Sequence, residues 1–400
     1  MVDHLNYAPF KPRKISYVLA VCVCLLVSTL GIYSAVTMEH AGHIITGMNN
    51  HVVWGLPHVF AVSLIVAASG ALNGSSLSTV FGLSSYKPIA RLSVVFAMSL
   101  LIGGLLILVL DLGRPDRLII AVTQFNFRSI FAWNIFLYTG FLIIGVFYLW
   151  TMIDKQFNRH IKSVGWLALV WRIVLTSGTG SIFGFLVGRN ALDTAVLAPL
   201  FIALSLLMGT AALILKSTLL NQWRPGAVSN DLLESLARLL FWFLIATVYF
   251  SAVHHLTNLY VREHADVEQY VLRGGLSGMF WLGHILFGVV LPIAILKVRS
   301  TALGKLRRYV IASNLSLLGG MALLYTIIIG SQSTPQNLFP GKTVLSSSFG
   351  DAGFPAYLPS MWEWGLGFGG VSVAVLLCLI AMRLFPLVSL PATVSAFESE

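Results

Sequence analysis

Several side chains able to exchange protons lie within or beside long apolar stretches of this sequence. His58 and His284 lie inside two such stretches, whereas Asp111 and Glu363 lie at the borders of two others. Imidazole and carboxylate groups accept and donate protons near neutral pH when their surroundings tune them. An ionisable side chain in a membrane segment is costly and therefore indicates a function. We take these four residues as candidate proton-handling groups.

Other polar residues are predicted at the same membrane face as these four. Trp133 and Asn134 open a further apolar stretch, and Ser177 lies in the corresponding half of the next one. At 1.5 Å of rise per helical residue, these positions reach similar depths. The sequence thus predicts one polar pocket with apolar walls near one face. Such a pocket suits a quinone, menaquinone or ubiquinone, whose carbonyls accept hydrogen bonds and whose isoprenoid tail needs an apolar slot.

The segment from Asp111 to Arg117 reads Asp-Leu-Gly-Arg-Pro-Asp-Arg and is the most unusual motif in the chain. Pro115 disfavours helical geometry at Arg114, so the preceding helix should end here. A helix end leaves free carbonyl groups. Arg114 or Arg117 could donate hydrogen bonds to these carbonyls, or it could pair with Asp111. One interpretation is a structural cap, and the other is that Asp111 and Arg114 border the pocket and tune a proton acceptor.

Composition fixes the elements that must position these residues. Of the 400 residues, 57% are hydrophobic and 10% are charged, whereas soluble domains carry about 25% charged residues. This excludes a soluble protein and, despite the net charge of +10, a nucleic-acid-binding protein of the usual kind. Residues 1–400 are expected to form a single all-α, polytopic membrane domain. Ten apolar runs are long enough to span a bilayer, namely 15–37, 52–79, 88–111, 129–152, 164–186, 194–220, 232–258, 275–299, 306–331 and 362–386.

The distribution of Lys and Arg predicts the orientation of these spans. Most of the 25 basic residues fall in the N-terminal tail and at the same end of successive spans. Basic residues accumulate on the cytoplasmic side, so both termini are expected in the cytoplasm and the polar pocket near the opposite face. A multi-pass protein of the bacterial inner (cytoplasmic) membrane, in contact with membrane lipids, is predicted.

The three cysteines, Cys22, Cys24 and Cys378, lie in apolar runs without metal-ligand spacing. No iron–sulfur or haem-attachment motif is visible. We therefore expect no haem and no iron–sulfur cluster in this chain, so any long-range electron transfer would require partner subunits.

Several segments resemble the NrfD/PsrC family of membrane quinone-interacting subunits. They are the Asp111 motif, Ser129 to Asn134, Thr176 to Arg189 with Ala198 to Phe201, Trp281 to Pro292, and Tyr357 to Trp364. The last two resemble the longer, ten-span branch, which includes the hydrogenase-2 membrane subunit and, most similar here, the DsrP type of sulfur-metabolism complexes. One position departs from the hydrogenase type, because His284 stands where those relatives carry a carboxylate.

The resemblance implies more than the residues alone show. It implies haem-free four-helix bundles, a quinone bound near the periplasmic side, and a periplasmic ferredoxin-like iron–sulfur subunit docked there. Loops 112–128 and 332–361 are the expected docking surface. For the sulfur-metabolism branch it also implies a multihaem cytochrome c and a second membrane cytochrome b subunit.

Two other functions remain open from the residues themselves. A b-type cytochrome could use His58, His254, His255 and His284 as haem ligands, although paired ligands at matched depth are not visible; an absorption spectrum separates this alternative. A secondary transporter is compatible with ten spans and broken helices, although no inverted repeat is visible; substrate flux in vesicles would favour it.

Overall fold

A computed structural model describes residues 6–11, 14–189, 191–298, 302–334, 342 and 357–389. In this part of the chain ten helices are long and apolar enough to cross a membrane, which confirms the predicted all-α, ten-span architecture. The chain is a multi-pass integral membrane protein. Most of loop 332–361 lies outside the described residues.

The helices begin and end close to the predicted positions. They are α1 Ile15–Ala41, α2 Leu56–Ala71, α3 Asn73–Thr79, α4 Lys87–Leu110, α5 Leu118–Thr123, α6 Ile130–Ile153, α7 Ile161–Gly184, α8 Leu197–Trp223, α9 Asn230–Tyr260, α10 Ala265–Leu272, α11 Leu291–Lys297, α12 Ala302–Gly330 and α13 Met361–Leu384. The second span consists of α2 and α3 together.

The eighth span differs from an ordinary α-helix. Residues Met279–Val290 form a π-helical segment, which continues into α11 at Leu291. Pro292 lies just after this junction, inside the continuous span, where its missing N–H group removes one bond of the backbone hydrogen-bond ladder. π-Helical geometry is rare and widens the helix, so the side chains of this span follow a different angular spacing from the one that the sequence predicts.

The helices form two four-helix groups that meet where α2 packs against α8. In the first, α2 contacts α4, α4 contacts α6, α6 contacts α7, and α7 returns to α2; in the second, α8 and α9 pack with the π-helical segment and α12. Helices α2 and α8 join the groups through a close contact, while α1 and α13 pack outside α4. The hydrophobic core lies mainly along α2, α4 and α8.

Glycines allow α2 and α8 to approach each other closely. A Cβ atom added at Gly209 would lie 2.2 Å from the backbone carbon of Gly70, and one added at Gly70 would lie 1.7 Å from the carbonyl oxygen of Ser205. Gly288 and Gly319 make an equivalent contact between the π-helical segment and α12. Small residues drive helix association in membranes because they let backbones come together.

A short antiparallel pairing joins the two ends of the described chain. Strand β1, Tyr7–Ala8, pairs with β2, Val388–Ser389. The guanidinium of Arg91 lies 4.0 Å from the Tyr7 ring centroid and donates to the carbonyl of Pro386. Residues 7–8 and 388–389 therefore lie at the same end of the helices, opposite to Asp111.

Candidate functional site

Asp111 lies between two histidines at the end of α4. Its Oδ2 atom is 2.9 Å from Nδ1 of His58, on the first turn of α2. Its Oδ1 atom is 3.6 Å from Nε2 of His43, in the loop after α1. The Asp111 side chain is only 1% exposed, whereas those of His58 and His43 are 22% and 32% exposed. The three residues form a buried carboxylate flanked by two imidazoles that reach the surface, here called the His58–Asp111–His43 relay.

The motif around Asp111 forms a tight exit from α4. Gly113 has a φ of +67°, which an L side chain rarely adopts, and an added Cβ would lie 3.2 Å from the His43 ring. The Arg114 side chain points away from the relay and pairs with Asp116, with Nε 3.1 Å from Oδ1. Of the two roles considered for Arg114, the pairing with Asp111 is not the one observed, because its exposed side chain pairs with Asp116 and the two histidines lie beside the Asp111 carboxylate.

A cavity of about 430 Å³ adjoins His58 inside the first helix group. Trp54 and Phe183 are among its aromatic lining residues, and Trp54 stacks on His58 with 6.1 Å between ring centroids. Leu112 and Val122 also line it and are themselves about half exposed, so the cavity opens beside α5. The walls are predominantly apolar, which suits an elongated apolar ligand with one polar end.

Asn134, Tyr138 and Thr179 supply polar groups deeper in this cavity. Asn134 is buried and donates to the carbonyls of Ile130 and Gly178. The Thr179 hydroxyl donates to the carbonyl of Leu175 at 3.0 Å, and its oxygen lies 3.5 Å from the side-chain oxygen of Asn134 and 3.4 Å from the Tyr138 hydroxyl. The cavity therefore contains a hydroxyl–amide cluster in addition to the His58 imidazole.

Two predicted residues on these helices do not line the cavity. Trp133 is half exposed, donates to the carbonyl of Phe127 and joins an aromatic cluster with Phe125 and Phe136. Ser177 is half-buried, and Thr179, two residues further along α7, takes the cavity-facing position that Ser177 was expected to occupy.

His284 belongs to a separate cluster in the second helix group. It is buried, with Nδ1 at 3.1 Å from the carbonyl oxygen of Gly319 and Nε2 at 3.4 Å from the Ser251 hydroxyl. Close by, His255 lies 2.7 Å from Glu268, and His264 lies 2.7 Å from Asp193. The sequence predicts one polar pocket, but in the structure the polar residues form separate clusters. His284 does not line the cavity beside His58.

Glu363 forms a third buried cluster at the start of α13. Its carboxylate accepts hydrogen bonds from the backbone N–H groups of Gly47 and Ser360 and from the hydroxyl of Tyr357. The bond from Ser360 belongs to a capping box. These contacts fix the loop after α1 against α13, so Glu363 helps to place the segment that carries His43.

His43 and Trp54 are site residues that the sequence analysis missed. His43 lies between the first two predicted apolar runs, and Trp54 lies at the start of the second run, just before α2, where a lone histidine or tryptophan carries little signal. The predicted topology could have indicated them, because the segment that carries them leads into α2 at the same membrane face at which α4 ends. Among the described residues, no group of three or more His, Cys, Asp and Glu side chains is placed to hold a metal ion.

The interaction between His43 and Asp111 stabilises the protonated form of the imidazole and the ionised form of the carboxylate. The Asp111 carboxylate beside its ring raises the pKa of His43 above its ordinary value of 6.5, and His43 Nε2 also lies 3.2 Å from the backbone carbonyl oxygen of Asp111. Burial alone would raise the pKa of Asp111, but the interactions of its carboxylate with His43 and His58 outweigh burial and lower it. A charged carboxylate beside a readily protonated imidazole is therefore the favoured state.

This arrangement predicts a pH-dependent stability. Because the pKa of folded His43 is raised, its contribution is fully present below about 6.5, the ordinary value for His, and is lost as the pH rises through the folded pKa. We expect the Tm of the wild type to fall between pH 6 and 8, and His43→Gln to reduce that fall. His40→Gln, an exposed histidine at the end of α1, is the matched control. Parallel pH profiles for wild type and His43→Gln would contradict the pairing.

The fold and the site together define a polytopic membrane protein with a buried, histidine-flanked carboxylate at the polar end of an apolar cavity. Residues 45–336 match the family described as polysulphide reductase, NrfD, and the chain belongs to this family.

Relatives align over nearly the whole chain. The Hdr-like menaquinol oxidoreductase integral membrane subunit of Archaeoglobus fulgidus is 28% identical, covering 96% of this chain and 97% of its own. A selenate reductase subunit of Mesobacillus selenatarsenatis is 24% identical, covering 90% and 92%. The menaquinone reductase integral membrane subunit of Nitratidesulfovibrio vulgaris is 21% identical, covering 89% and 88%.

Proposed function

We propose that this protein is the membrane subunit of a quinone-linked oxidoreductase complex and binds a quinone head group beside His58. The observation that carries the proposal is the position of His58, which joins the apolar cavity to the buried Asp111 carboxylate. The names of two relatives, a menaquinol oxidoreductase subunit and a menaquinone reductase subunit, support the same chemistry. They favour menaquinone over ubiquinone.

The residues present fit such a ligand. Nδ1 of His58 faces Asp111, so Nε2 is the ring nitrogen available to the cavity. The cavity of about 430 Å³ lies within the range of small-molecule sites and opens laterally beside α5. A bound quinone supplies reversible two-electron, two-proton chemistry. At Nε2, neutral His58 would accept a hydrogen bond from a quinol hydroxyl and protonated His58 would donate one to a quinone carbonyl, while the cavity walls would hold the first part of the tail.

The relay gives a route for the accompanying protons. With Asp111 charged, the proton of neutral His58 is favoured on Nδ1, and Nε2 is free to accept a second proton. Asp111 stabilises the resulting imidazolium and orients the ring. His43, on the other side of the carboxylate, is partly exposed and exchanges protons with water. The chain thereby connects a buried proton acceptor to the membrane surface.

His58→Ala should weaken the binding of a quinone analogue by at least about 1 kcal/mol, the typical loss for one hydrogen bond. Binding is measured by titrating the purified full chain with a quinone-site inhibitor and following intrinsic tryptophan fluorescence, since Trp54 stacks on His58. His40→Ala serves as the control because His40 is exposed at the same end of the helices. Weakening by His284→Ala, with His58→Ala unchanged, would place the quinone in the second helix group instead.

We further propose that the Asp111 end faces the periplasm, that both termini are cytoplasmic, and that a ferredoxin-like iron–sulfur subunit docks at the Asp111 end. The loop at 112–128 follows the relay directly and exposes Arg117 and Phe127. Arg donors suit carboxylates on a partner, and exposed aromatic residues are enriched in interfaces. A haem-free subunit needs such proximity between its quinone and the first cluster of its partner.

Cross-linking tests the docking surface. Phe127→Cys, which lies at the Asp111 end, should capture the iron–sulfur subunit in membranes of the native host. Phe157→Cys is the matched control, because this phenylalanine is also exposed but lies in the loop at the opposite end. Capture from Phe157→Cys alone would overturn both the docking face and the proposed orientation.

The wider complex is proposed from the ten-span resemblance. A DsrP-like role in dissimilatory sulfur metabolism would add a multihaem cytochrome c and a second membrane cytochrome b subunit as partners. Purification of the intact complex from native membranes, followed by haem staining of its subunits, tests this assignment. A complex that contains no c-type haem would contradict it.

A further inference from the structure

A second cavity lies on the other side of α2 from the relay. Its volume is about 350 Å³, and it is bounded by α2, α4, α8, α12 and α13. Leu64 and Ala67 of α2 line this cavity, whereas Val62 and Ile65 of the same helix line the one beside His58. Helix α2 therefore separates the two cavities, and the second is not an extension of the first.

Lys216 lines this second cavity from α8. Its Nζ atom is buried and has no hydrogen-bond partner within the described structure. Nζ lies 5.3 Å from the centroid of the Phe96 ring, the cation–π contact that the cavity provides. Lys216 precedes Trp223, the last residue of α8, by seven positions, which places its Cα about 10 Å inside that end.

The charge of Lys216 is not balanced by the cavity walls. Among the described lining residues there is no carboxylate, and Cys378 is the other ionisable side chain. The Ser63 hydroxyl is already committed to the carbonyl of Val59. Burying an ammonium group without a partner is costly, and attraction to one aromatic ring replaces only a small part of its lost hydration. An anion that enters the cavity would remove this imbalance.

The cavity is accessible from the side of the protein. Leu219 of α8 lies at its margin and is 38% exposed, and Leu317 of α12 and Val375 of α13 are half-buried there. These apolar residues face the direction from which lipid chains approach a membrane helix. An occupant must therefore combine an apolar chain with one anionic group that reaches Lys216.

We propose that this cavity binds an acyl-chain lipid through an ion pair between its anionic head group and Lys216 Nζ. The chain of the lipid occupies the apolar space towards Leu219 and Val375. Two sources share this chemistry, a free fatty-acid carboxylate and the phosphate of an anionic phospholipid. The site is independent of the proposed quinone site, since α2 lies between them.

Binding of defined lipids to the delipidated full chain tests the proposal. Native mass spectrometry in a nonionic detergent would compare oleate and dioleoylphosphatidylglycerol with oleyl alcohol, which has the same chain as oleate but no charge. We expect at least one of the two anions to bind about tenfold more tightly than the alcohol, as a charge-assisted contact requires. Preference for oleate assigns a fatty acid, and preference for phosphatidylglycerol assigns a phospholipid.

Variants of Lys216 locate the bound head group. Lys216→Met should abolish the preference for the anion, whereas Lys216→Arg should retain it. Lys162→Met removes an exposed lysine from the start of α7 and is the matched control. Equal binding of the alcohol and both anions by the wild type would overturn the proposal even if Lys216→Met failed to fold. An undiminished anion preference in a folded Lys216→Met protein would also overturn it.

Discussion

Asp111→Asn should lower quinol-linked electron transfer by about 100-fold, because general acid–base groups typically contribute at least this factor. The substitution keeps the shape of the side chain but removes the charge between His43 and His58. Without that charge, His58 loses the group that stabilises its protonated form and orients its ring. Turnover is measured with a quinol analogue and an artificial acceptor in membranes that contain the whole complex, normalised to the amount of assembled subunit.

Arg114→Gln is the matched control for Asp111→Asn. Arg114 lies three residues further along the motif, but its side chain is exposed and pairs with Asp116. Exposed ion pairs contribute little, so turnover should remain within about twofold of the wild type. Equal loss in both variants would assign the motif to partner docking, and unchanged turnover in both would reduce it to a structural cap.

Gly209→Ala should destabilise the folded chain by about 3 kcal/mol, the upper part of the usual range for overpacking. The added methyl group would meet the Gly70 backbone at 2.2 Å, and neither backbone can move without separating α2 from α8. Since these two helices join the two helix groups, the damage extends through the core. The measurement is thermal denaturation of the purified protein, followed by fluorescence-detected size-exclusion chromatography.

Gly278→Ala controls for the intrinsic effect of exchanging glycine for alanine. Gly278 has ordinary helical geometry, is exposed, and has no atom within 4 Å of an added Cβ. The substitution should therefore leave Tm unchanged or raise it slightly. A Tm for Gly209→Ala equal to that of Gly278→Ala would show that the α2–α8 contact is looser than the structure indicates.

Only part of the candidate site was accessible from the sequence. His58, Asp111 and Asn134 were selected because a polar residue in an apolar helix is conspicuous, and the structure brings these three to one region. Ser177 was selected by the same reasoning and Arg114 from the charged motif after α4, but neither side chain lines the cavity. Neighbouring residues on a helix point in directions about 100° apart. The sequence therefore predicts the depth of a residue in the membrane, but it does not predict which neighbouring helix its side chain faces.

Residues in loops were the least predictable. His43 reaches Asp111 from the segment after α1, and its position depends on Glu363, which binds the backbone of Gly47 from the start of α13. More than 300 residues of sequence separate these two partners. No local pattern encodes such a contact, because it arises only when the ends of several spans meet at one face.

The sequence by itself determined the membrane location, the ten spans and the all-helical class. The length and apolar character of a segment are local properties, and they decide whether it can cross the bilayer as a helix. Tertiary structure alone decided which polar residues meet. Packing of α2 against both α4 and α8 directs His58 to Asp111, places His284 in a separate cluster, and leaves Lys216 facing a second cavity. These outcomes depend on the rotation of each helix, which is set by close contacts such as Gly70 with Gly209.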